Sequence, residues 1–397
     1  MDTGKYYEKK SLNQFTLFKR EKPLLEYLDI ELTERCNNNC IHCYINLPQQ
    51  DPDAIHRELT TNEWKDILKQ AADLGVLVVR FTGGEPLLRN DFTELYLYAR
   101  HLGMRVILFT NGRGITPDLA ALFSRIPPLE KIEVTVYGMR AETYEAVSRV
   151  PGSFNEFWRG VQCLLTSEVP FIVKGALLPQ NTVDRERFEA WAETIPWMES
   201  SPSYSMCFDL RGRRDSPQKN QRISRLRANP DENLAVLTRD EARYRKEMEI
   251  FCTRFMGSAG SRLFACGAGN NVCIDAYGVI QPCLLFRMPE LCEDLKTRSL
   301  QEVLTECFPS IKEMAAENPD YLNRCARCFI KGLCEQCPAK SWSEHGTLDT
   351  PVEYLCKIAH AQARYLGLIE SGECAWEVRN GDERVRKLTE ADASLPG

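Results

Sequence analysis

The chain has no run of eighteen or more apolar residues, so no membrane-crossing helix is expected. It has no secretory signal either: Met1–Lys10 (MDTGKYYEKK) is polar, and no apolar h-region follows. Positive charge is not in excess. The net charge is −6, which argues against bulk nucleic-acid affinity while leaving room for a local basic patch. What the chain does have is cysteine, seventeen in 397 residues. With no export signal, a secreted disulfide scaffold is not expected. A cytoplasmic location is, and in a reducing cytosol clustered thiols point to metal. The rest of the composition is ordinary, with 43% apolar and 27% charged residues, enough for a full core and more than one domain.

Three thiols stand together in Cys36-Asn-Asn-Asn-Cys40-Ile-His-Cys43. They follow the alternating apolar run Leu28, Ile30, Leu32, which places them on the loop leaving the C-terminal end of a first strand. Three thiolates can hold three irons of a [4Fe–4S] cubane and leave the fourth iron open. A structural zinc site with His42 as fourth ligand is the other reading. His42 lies between two of the thiols, where a short loop cannot easily fold it onto the same metal.

Strand-like and helix-like segments then alternate. Strands are expected at Leu24–Leu32, Val76–Phe81, Arg105–Thr110, Ile132–Tyr137, Phe171–Leu177 and Ser203–Leu210, several of them the continuous Val/Ile/Leu/Phe runs of a parallel sheet buried on both faces. Thr60 with Glu63 reads as a capping box, and Trp64, Ile67, Leu68, Ala71 and Ala72 form one apolar stripe that Gly75 ends. Thr116-Pro117 is a second helix start, and Ser153–Thr166 and Asp184–Ile195 are later helices. The pattern predicts an α/β fold with six βα units, two short of a complete eight-fold barrel, with active groups on loops at the strands' C-terminal ends.

The second strand runs into Phe81-Thr82-Gly83-Gly84-Glu85-Pro86. Glycines permit close backbone approach to a ligand, and Glu85 can accept from an ammonium; alone this is also a common strand-to-helix turn. Together with Cys36, Cys40 and Cys43 it resembles the radical S-adenosylmethionine (SAM) superfamily over residues 24–210. The resemblance implies a partial (β/α)6 TIM-like barrel, a SAM-chelating [4Fe–4S] cluster on Cys36, Cys40 and Cys43, and reductive cleavage of SAM to a 5′-deoxyadenosyl radical. It further implies that Gly83, Gly84 and Glu85 bind the amino group of SAM's methionine moiety, and it counts His42 among the cofactor-pocket residues. Asn111, in Thr110-Asn111-Gly112, lines the same pocket on this resemblance, as does Thr135, whose other reading is a satisfied strand hydroxyl. Arg149, before Val-Pro-Gly152-Ser-Phe154, matches the family's arginine for the SAM carboxylate, or is a surface cap. Lys174 on the fifth strand is a further residue expected in the cofactor pocket on this resemblance. Asp209 shares strand parity with Ser205 and Cys207 and either faces the barrel interior, to act on substrate, or caps the following turn.

Beyond residue 210 the alternation breaks. Arg211, Arg213, Arg214, Lys219, Arg222, Arg225 and Arg227 form a basic stretch, read as a solvated face or as a docking patch for an acidic peptide. Charged helical sequence (Thr238–Phe255) follows. Then come Cys266, Cys273, Cys283, Cys325-x₂-Cys328-x₅-Cys334-x₂-Cys337 and Cys356. Eight thiols suffice for two closed [4Fe–4S] clusters, and the run also suits a pair of zinc knuckles. The order resembles the SPASM extension of radical SAM enzymes, over residues 263–365, although the step from Cys334 to Cys337 is one residue shorter than usual. That resemblance implies one auxiliary cluster on Cys266, Cys273, Cys283 and Cys337, and another on Cys325, Cys328, Cys334 and Cys356. Cys163, Cys207, Cys252, Cys292, Cys307 and Cys374 fall outside the scheme and read mostly as small buried hydrophobes.

The expected organisation is an N-terminal arm (1–23), a radical SAM core (24–210), a basic and helical linker (211–262), the auxiliary-cluster domain (263–365) and a C-terminal tail (366–397). Relatives with this extension often modify ribosomally made peptides, by crosslinking, epimerisation or oxidation. Formylglycine-forming relatives carry an Asp directly after the cysteine that here is Cys283; Leu284 stands there instead, against that oxidation. The termini are too short for a winged-helix leader-binding domain, so a separate recognition protein or the basic segment would hold a peptide. An external reductant such as flavodoxin or ferredoxin is implied. The same chemistry on a small alcohol, sugar or cofactor precursor remains an alternative, as does a non-catalytic zinc or iron–sulfur scaffold.

Overall fold

A computed structural model describes Leu25, residues 27–258 and residues 260–390. The expected N-terminal arm and the end of the tail lie outside those residues. The chain divides into two compact units that interleave in sequence. The first takes in residues up to Phe208, with Gln218–Leu226 and Gly267–Pro309. The second comprises Asp209–Pro217, Arg227–Cys266 and Ser310–Gly397. The expected linker and cysteine-rich domain are therefore each split between units, because their segments pack on different cores.

The first unit is built on a nine-stranded sheet. Six of its parallel strands are β1 (Tyr27–Thr33), β2 (Val78–Gly83), β3 (Arg105–Thr110), β4 (Leu129–Val136), β5 (Phe171–Ala176) and β6 (Tyr204–Ser205), in that order across the sheet. Five helices used below separate them: α1 (Thr61–Asp73), α2 (Phe92–His101), α3 (Pro117–Arg125), α4 (Ala141–Ser148) and α5 (Ser153–Thr166). The capping box of Thr60 and Glu63 is present, and Thr116 caps α3 with Pro117 at its first position. Ile30, Phe81, Leu108, Ile132 and Phe171 stand in register across five strands and are each at most 1% exposed. This row faces the helices, where Phe81 meets Phe92 of α2 and Tyr96 meets Phe123 of α3. Each such side chain contributes about 2–3 kcal/mol by leaving water.

The opposite face is polar. Arg80 pairs with Asp29 at 3.0 Å and lies over the Phe109 ring; Lys174 covers the same ring and pairs with Glu133 at 2.5 Å. A two-sided period explains both rows: successive strand residues alternate faces, so Ile30 and Glu31 serve opposite sides.

The cysteine-rich segment adds three strands to this sheet. β7 (Asn271–Ile274) pairs parallel with the free edge of β1, placing Cys273 beside Asp29; β8 (Val279–Gln281) and β9 (Glu293–Asp294) continue antiparallel. Arg287 from the same segment donates to both oxygens of the buried Glu31 at 2.5 Å. The sixth expected strand is much shorter than Ser203–Leu210. Pairing with β5 stops at Ser205, so strand parity does not reach Asp209.

The second unit contains α6 (Glu241–Phe255), α7 (Pro338–His345), α8 (Glu353–Tyr365) and α9 (Gly381–Glu390). Its core includes Tyr244, Cys252, Phe329, Ile330, Leu333, Ala359 and Ala363. Leu366, Leu368, Ile369 and Ala375 are also buried there. The segment after 366 is thus part of a core and not a patternless tail; its apolar residues sit in short turns, where no period builds up. The basic stretch is partly paired within each unit. Within the second unit Arg211 and Arg213 pair with Asp215, and Arg227 with Glu344 at 2.6 Å; within the first, Lys219 donates to Asn46.

Candidate functional site

The C-terminal ends of β1, β2 and β3 converge on the Cys36–Cys43 loop. Gly84 N–H donates to Thr33 O at 2.7 Å and Glu85 N–H to Arg35 O at 2.9 Å, so the Gly-Gly-Glu turn lies flat against the backbone leading into Cys36. A Cβ on Gly83 would sit 2.2 Å from Thr33 O, and one on Gly84 2.3 Å from Arg35 O. Gly83 also has φ +124, a left-handed value that side chains disfavour. The immediate need for both glycines is this chain-on-chain approach, where the sequence suggested approach to a ligand.

Glu85 is fully buried. It accepts from Thr110 Oγ1 and Asn111 N–H, both at 2.8 Å, and from Leu87 N–H at 3.2 Å. Burial outweighs those bonds and pushes its carboxyl up to about 7. A buried carboxylate so held can take up a cation at little further ordering cost.

The cysteine loop is stapled from three sides. Asn111 Nδ2 donates to Asn37 Oδ1 at 2.8 Å and approaches Cys36 Sγ at 3.8 Å. Arg113, only 7% exposed, donates to Asn38 Oδ1 at 2.7 Å and to Asn37 O, while Glu156 of α5 holds its other edge at 2.5 Å. Asn39 N–H donates to Ser148 O and Ile41 N–H to Val147 O, at the end of α4. Each asparagine between Cys36 and Cys40 therefore has a partner, which the bare spacing did not reveal. Arg113 was not foreseen; its signal is only its place after Asn111-Gly112.

Cys36 and Cys40 are buried and Cys43 is half-buried. Burial, with the neighbouring thiols adding to it, pushes the Cys40 thiol well above its usual range; burial and the Glu85 carboxylate do the same to Cys36. Such thiols stay protonated unless a cation joins them, and Cys36 Sγ already accepts Asn38 N–H at 3.3 Å. The donor set fits a cluster whose irons supply that positive charge.

His42 is turned into an aromatic cage, its ring 4.8 Å from Phe208 and 5.7 Å from Tyr137. Burial lowers it to about 4, and its Nδ1 has no hydrogen-bond partner among the described residues. Thr135 stands half-buried beside Lys174 in the β4–β5 register. Lys174 is engaged by Glu133 below it. Arg149 is exposed and caps α4 in the left-handed conformation, φ 57, directly after the carbonyl that holds Asn39. Asp209 belongs to the second unit, where Lys340 Nζ lies 3.3 Å away.

The second unit brings Cys325, Cys328, Cys334 and Cys356 to the wall of one cavity, with Tyr321, Val352 and Ala359 among its apolar lining. Burial pushes Cys325 up to about 11 and Cys328 and Cys334 up to about 12. Four thiols that resist ionisation around a mostly apolar hollow again fit a cation-rich cluster. Of the other expected set, Cys273 and Cys283 belong to the first unit and Cys266 and Cys337 to the second. Of the six unassigned cysteines only Cys252 is buried in a core; the other five are half-buried.

Residues 30–195 match the model of the radical SAM superfamily. This is a radical SAM domain. Domains of this superfamily bind a [4Fe–4S] cluster and SAM. The chain is 26% identical over 340 residues to an AdoMet-dependent heme synthase of Methanosarcina barkeri, covering 80% of this chain and 92% of that one. It is 30% identical over 264 residues to the mycofactocin maturase MftC of Mycolicibacterium smegmatis, covering 64% of this chain and 62% of the maturase. In three dimensions it is similar to Streptococcus suis SuiB bound to S-adenosylmethionine, with a TM-score of 0.59 and 15% identity over 81% of this chain and 75% of that one. It is also similar to anSMEcpe with bound AdoMet, with a TM-score of 0.61 and 13% identity over 86% and 96%. These likenesses bear out the α/β partial barrel.

Proposed function

We propose that this radical SAM enzyme holds three [4Fe–4S] clusters and modifies a ribosomally made peptide by hydrogen abstraction. One observation carries the initiating half: the strand ends bring the buried Cys36, Cys40, Glu85 and Asn111 together with the half-buried Cys43. When bound there, the cluster and SAM supply a 5′-deoxyadenosyl radical able to take hydrogen from an unactivated carbon.

The chain's own residues bind and orient. Glu85 would accept the ammonium of SAM's methionine moiety, with Thr110 and Asn111 fixing its two oxygens. On the family resemblance Arg149 would take the SAM carboxylate, and Thr135 would offer a hydroxyl to the same ligand. His42, Tyr137 and Phe208 form an apolar wall that excludes water from the reacting end. The charged face formed by Asp29, Arg80, Glu133 and Lys174 suits a polar substrate such as a peptide.

The SPASM reading is supported by the four-thiol cavity. Cys325, Cys328, Cys334 and Cys356 would hold one auxiliary cluster; the second is proposed from the cysteine count, since eight thiols suffice for two. Closed clusters held there would supply one-electron transfer, with an external flavodoxin or ferredoxin as the source of electrons.

The peptide substrate is supported by similarity to a maturase and by the fold shared with SuiB bound to precursor peptide SuiA, at a TM-score of 0.59. A separate recognition protein would present the peptide. A second reading, the same chemistry on a small molecule, is favoured by the 92% coverage of the heme synthase. The test is anaerobic turnover with SAM and dithionite, offering precursor peptides in one arm and tetrapyrroles in the other. A peptide mass change in step with 5′-deoxyadenosine supports the first reading; product in the tetrapyrrole arm alone replaces it with the second.

A further inference from the structure

The cavity ringed by Cys325, Cys328, Cys334 and Cys356 is asymmetric. Three of its thiols have no cationic side chain bonded to sulfur among the described contacts. Cys356 has Arg324 Nη2 at 3.9 Å from its sulfur and His360 Nδ1 at 3.5 Å. The tautomer of His360 follows from its other edge. Ala375 N–H donates to Nε2 at 3.2 Å, so Nε2 is bare and the proton sits on Nδ1, which also donates to Cys356 O at 2.8 Å. His360 is therefore a neutral donor, and Arg324 brings the one fixed positive charge bonded to a sulfur of the ring.

Two observations indicate that this arginine is more than a surface ion pair. Its guanidinium lies 4.7 Å over the Trp376 ring, and both residues line the cavity. Its Nε is buried and has no hydrogen-bond partner among the described residues, an unusual cost for a charged fork. On the outer side Glu353 holds Nη1 at 2.6 Å and Asp320 at 3.2 Å. Arg324 is 20% exposed, whereas Glu353 is 57% exposed. The positive end thus lies nearer the thiols, and its counter-charges lie nearer water.

We propose that Arg324 sets the reduction potential of the cluster held by these four cysteines, through its N–H···S bond to Cys356, with Glu353 as the opposing charge. The inference rests on the reading of this cavity as an auxiliary cluster site. The couple involves one electron, taken from an external one-electron donor, from [4Fe–4S]²⁺ to [4Fe–4S]⁺. No covalent bond forms or breaks and no proton moves. Reduction adds a negative charge, which a nearby fixed cation and a hydrogen bond to sulfur favour, so Arg324 raises the potential. Glu353 lowers it, more weakly, since water screens the more exposed carboxylate. Arg324 is a positioning residue for charge and does not touch substrate.

The test is a potentiometric titration of the reconstituted full-length holoenzyme followed by electron paramagnetic resonance. The signal is assigned by its loss in the Cys328→Ala, Cys334→Ala double variant. Arg324→Gln is expected to shift that signal to more negative potential with iron content unchanged. Arg324→Lys, which keeps charge but loses the fork, is expected to fall between, and Glu353→Gln to shift the signal to more positive potential. Opposite signs from the two neutralising variants are not a consequence of general loosening. An unchanged midpoint in Arg324→Gln, or a shift of the same sign in both, overturns the proposal. Should Arg324→Gln fail to hold iron, Glu353→Gln decides: no positive shift overturns it. If the double cysteine variant keeps all its iron, the cluster reading of the cavity fails, an outcome distinguishable from a silent Arg324.

Discussion

Arg113→Met removes the donors that hold the cysteine loop in place while keeping an unbranched apolar stem. Arg113 gives that loop two bonds, to Asn37 O and to Asn38 Oδ1, from a side chain only 7% exposed. Hydrogen bonds from a charged donor contribute about 1.5–3 kcal/mol each, and the buried Asn38 side chain loses an acceptor's partner. Glu156, freed on the other side, is 40% exposed and regains water, which limits the total. A loss of about 3 kcal/mol in the hold on the loop is expected, a factor of about a hundred at 1.4 kcal/mol per decade. The assay is an anaerobic challenge of the reconstituted enzyme with an iron chelator, following iron release and residual SAM cleavage. The irons on Cys36, Cys40 and Cys43 should leave about a hundredfold sooner, with the SAM-cleavage rate falling in step. Asn111→Ala, which deletes the neutral bonds to Asn37 Oδ1 at 2.8 Å and from Arg113 N–H at 2.9 Å, should cost less, about 2 kcal/mol. An Arg113→Met enzyme that keeps iron and SAM cleavage as long as the native chain would refute the reasoning.

Other expectations follow from the same geometry. Gly84→Ala would place a Cβ 2.3 Å from Arg35 O and 2.6 Å from Glu34 O, both backbone, so the turn must part from the loop. A loss of about 3 kcal/mol or more and failure to load the first cluster are expected by thermal unfolding and iron assay; a stable, loaded alanine variant contradicts this. The double variant of Cys328 and Cys334 to Ala should lose about four irons, retain uncoupled SAM cleavage and lose product yield; full yield without that cluster removes its electron-transfer role. The folded-state value of Glu85, about 7, lies above its ordinary 4.5. Its contribution to stability is therefore full below about 4.5 and is lost as pH rises through about 7, on the order of 3 kcal/mol in all. Thermal unfolding of the metal-free chain between those values should show that slope, and Glu85→Gln should flatten it.

Local signals were legible in the sequence, and long-range packing was not. A three-thiol loop after an alternating strand, a Gly-Gly-Glu turn after a continuous apolar one, and helix caps such as Thr60 with Glu63 are local signals, and each stands where its residues indicate. Contacts across long stretches of chain left no such trace. Nothing near Cys273 says that its strand joins β1 some 240 residues earlier, or that Arg287 neutralises the buried Glu31. The length of β6 was overread because Ser203–Leu210 is apolar enough for a strand, yet its pairing partner β5 ends first. Arg113 and Arg324 read as ordinary charged residues, since a side chain's burial is set by what folds over it.

The most direct test of the account is anaerobic reconstitution with iron and sulfide, followed by counting iron and measuring 5′-deoxyadenosine after dithionite and SAM. The account predicts about twelve irons per chain and 5′-deoxyadenosine formed. Replacing Cys36, Cys40 and Cys43 with Ala should then abolish that product and leave about eight irons. Bound zinc with no iron and no SAM cleavage would contradict it, and cleavage retained without those three cysteines would contradict the assignment of the site.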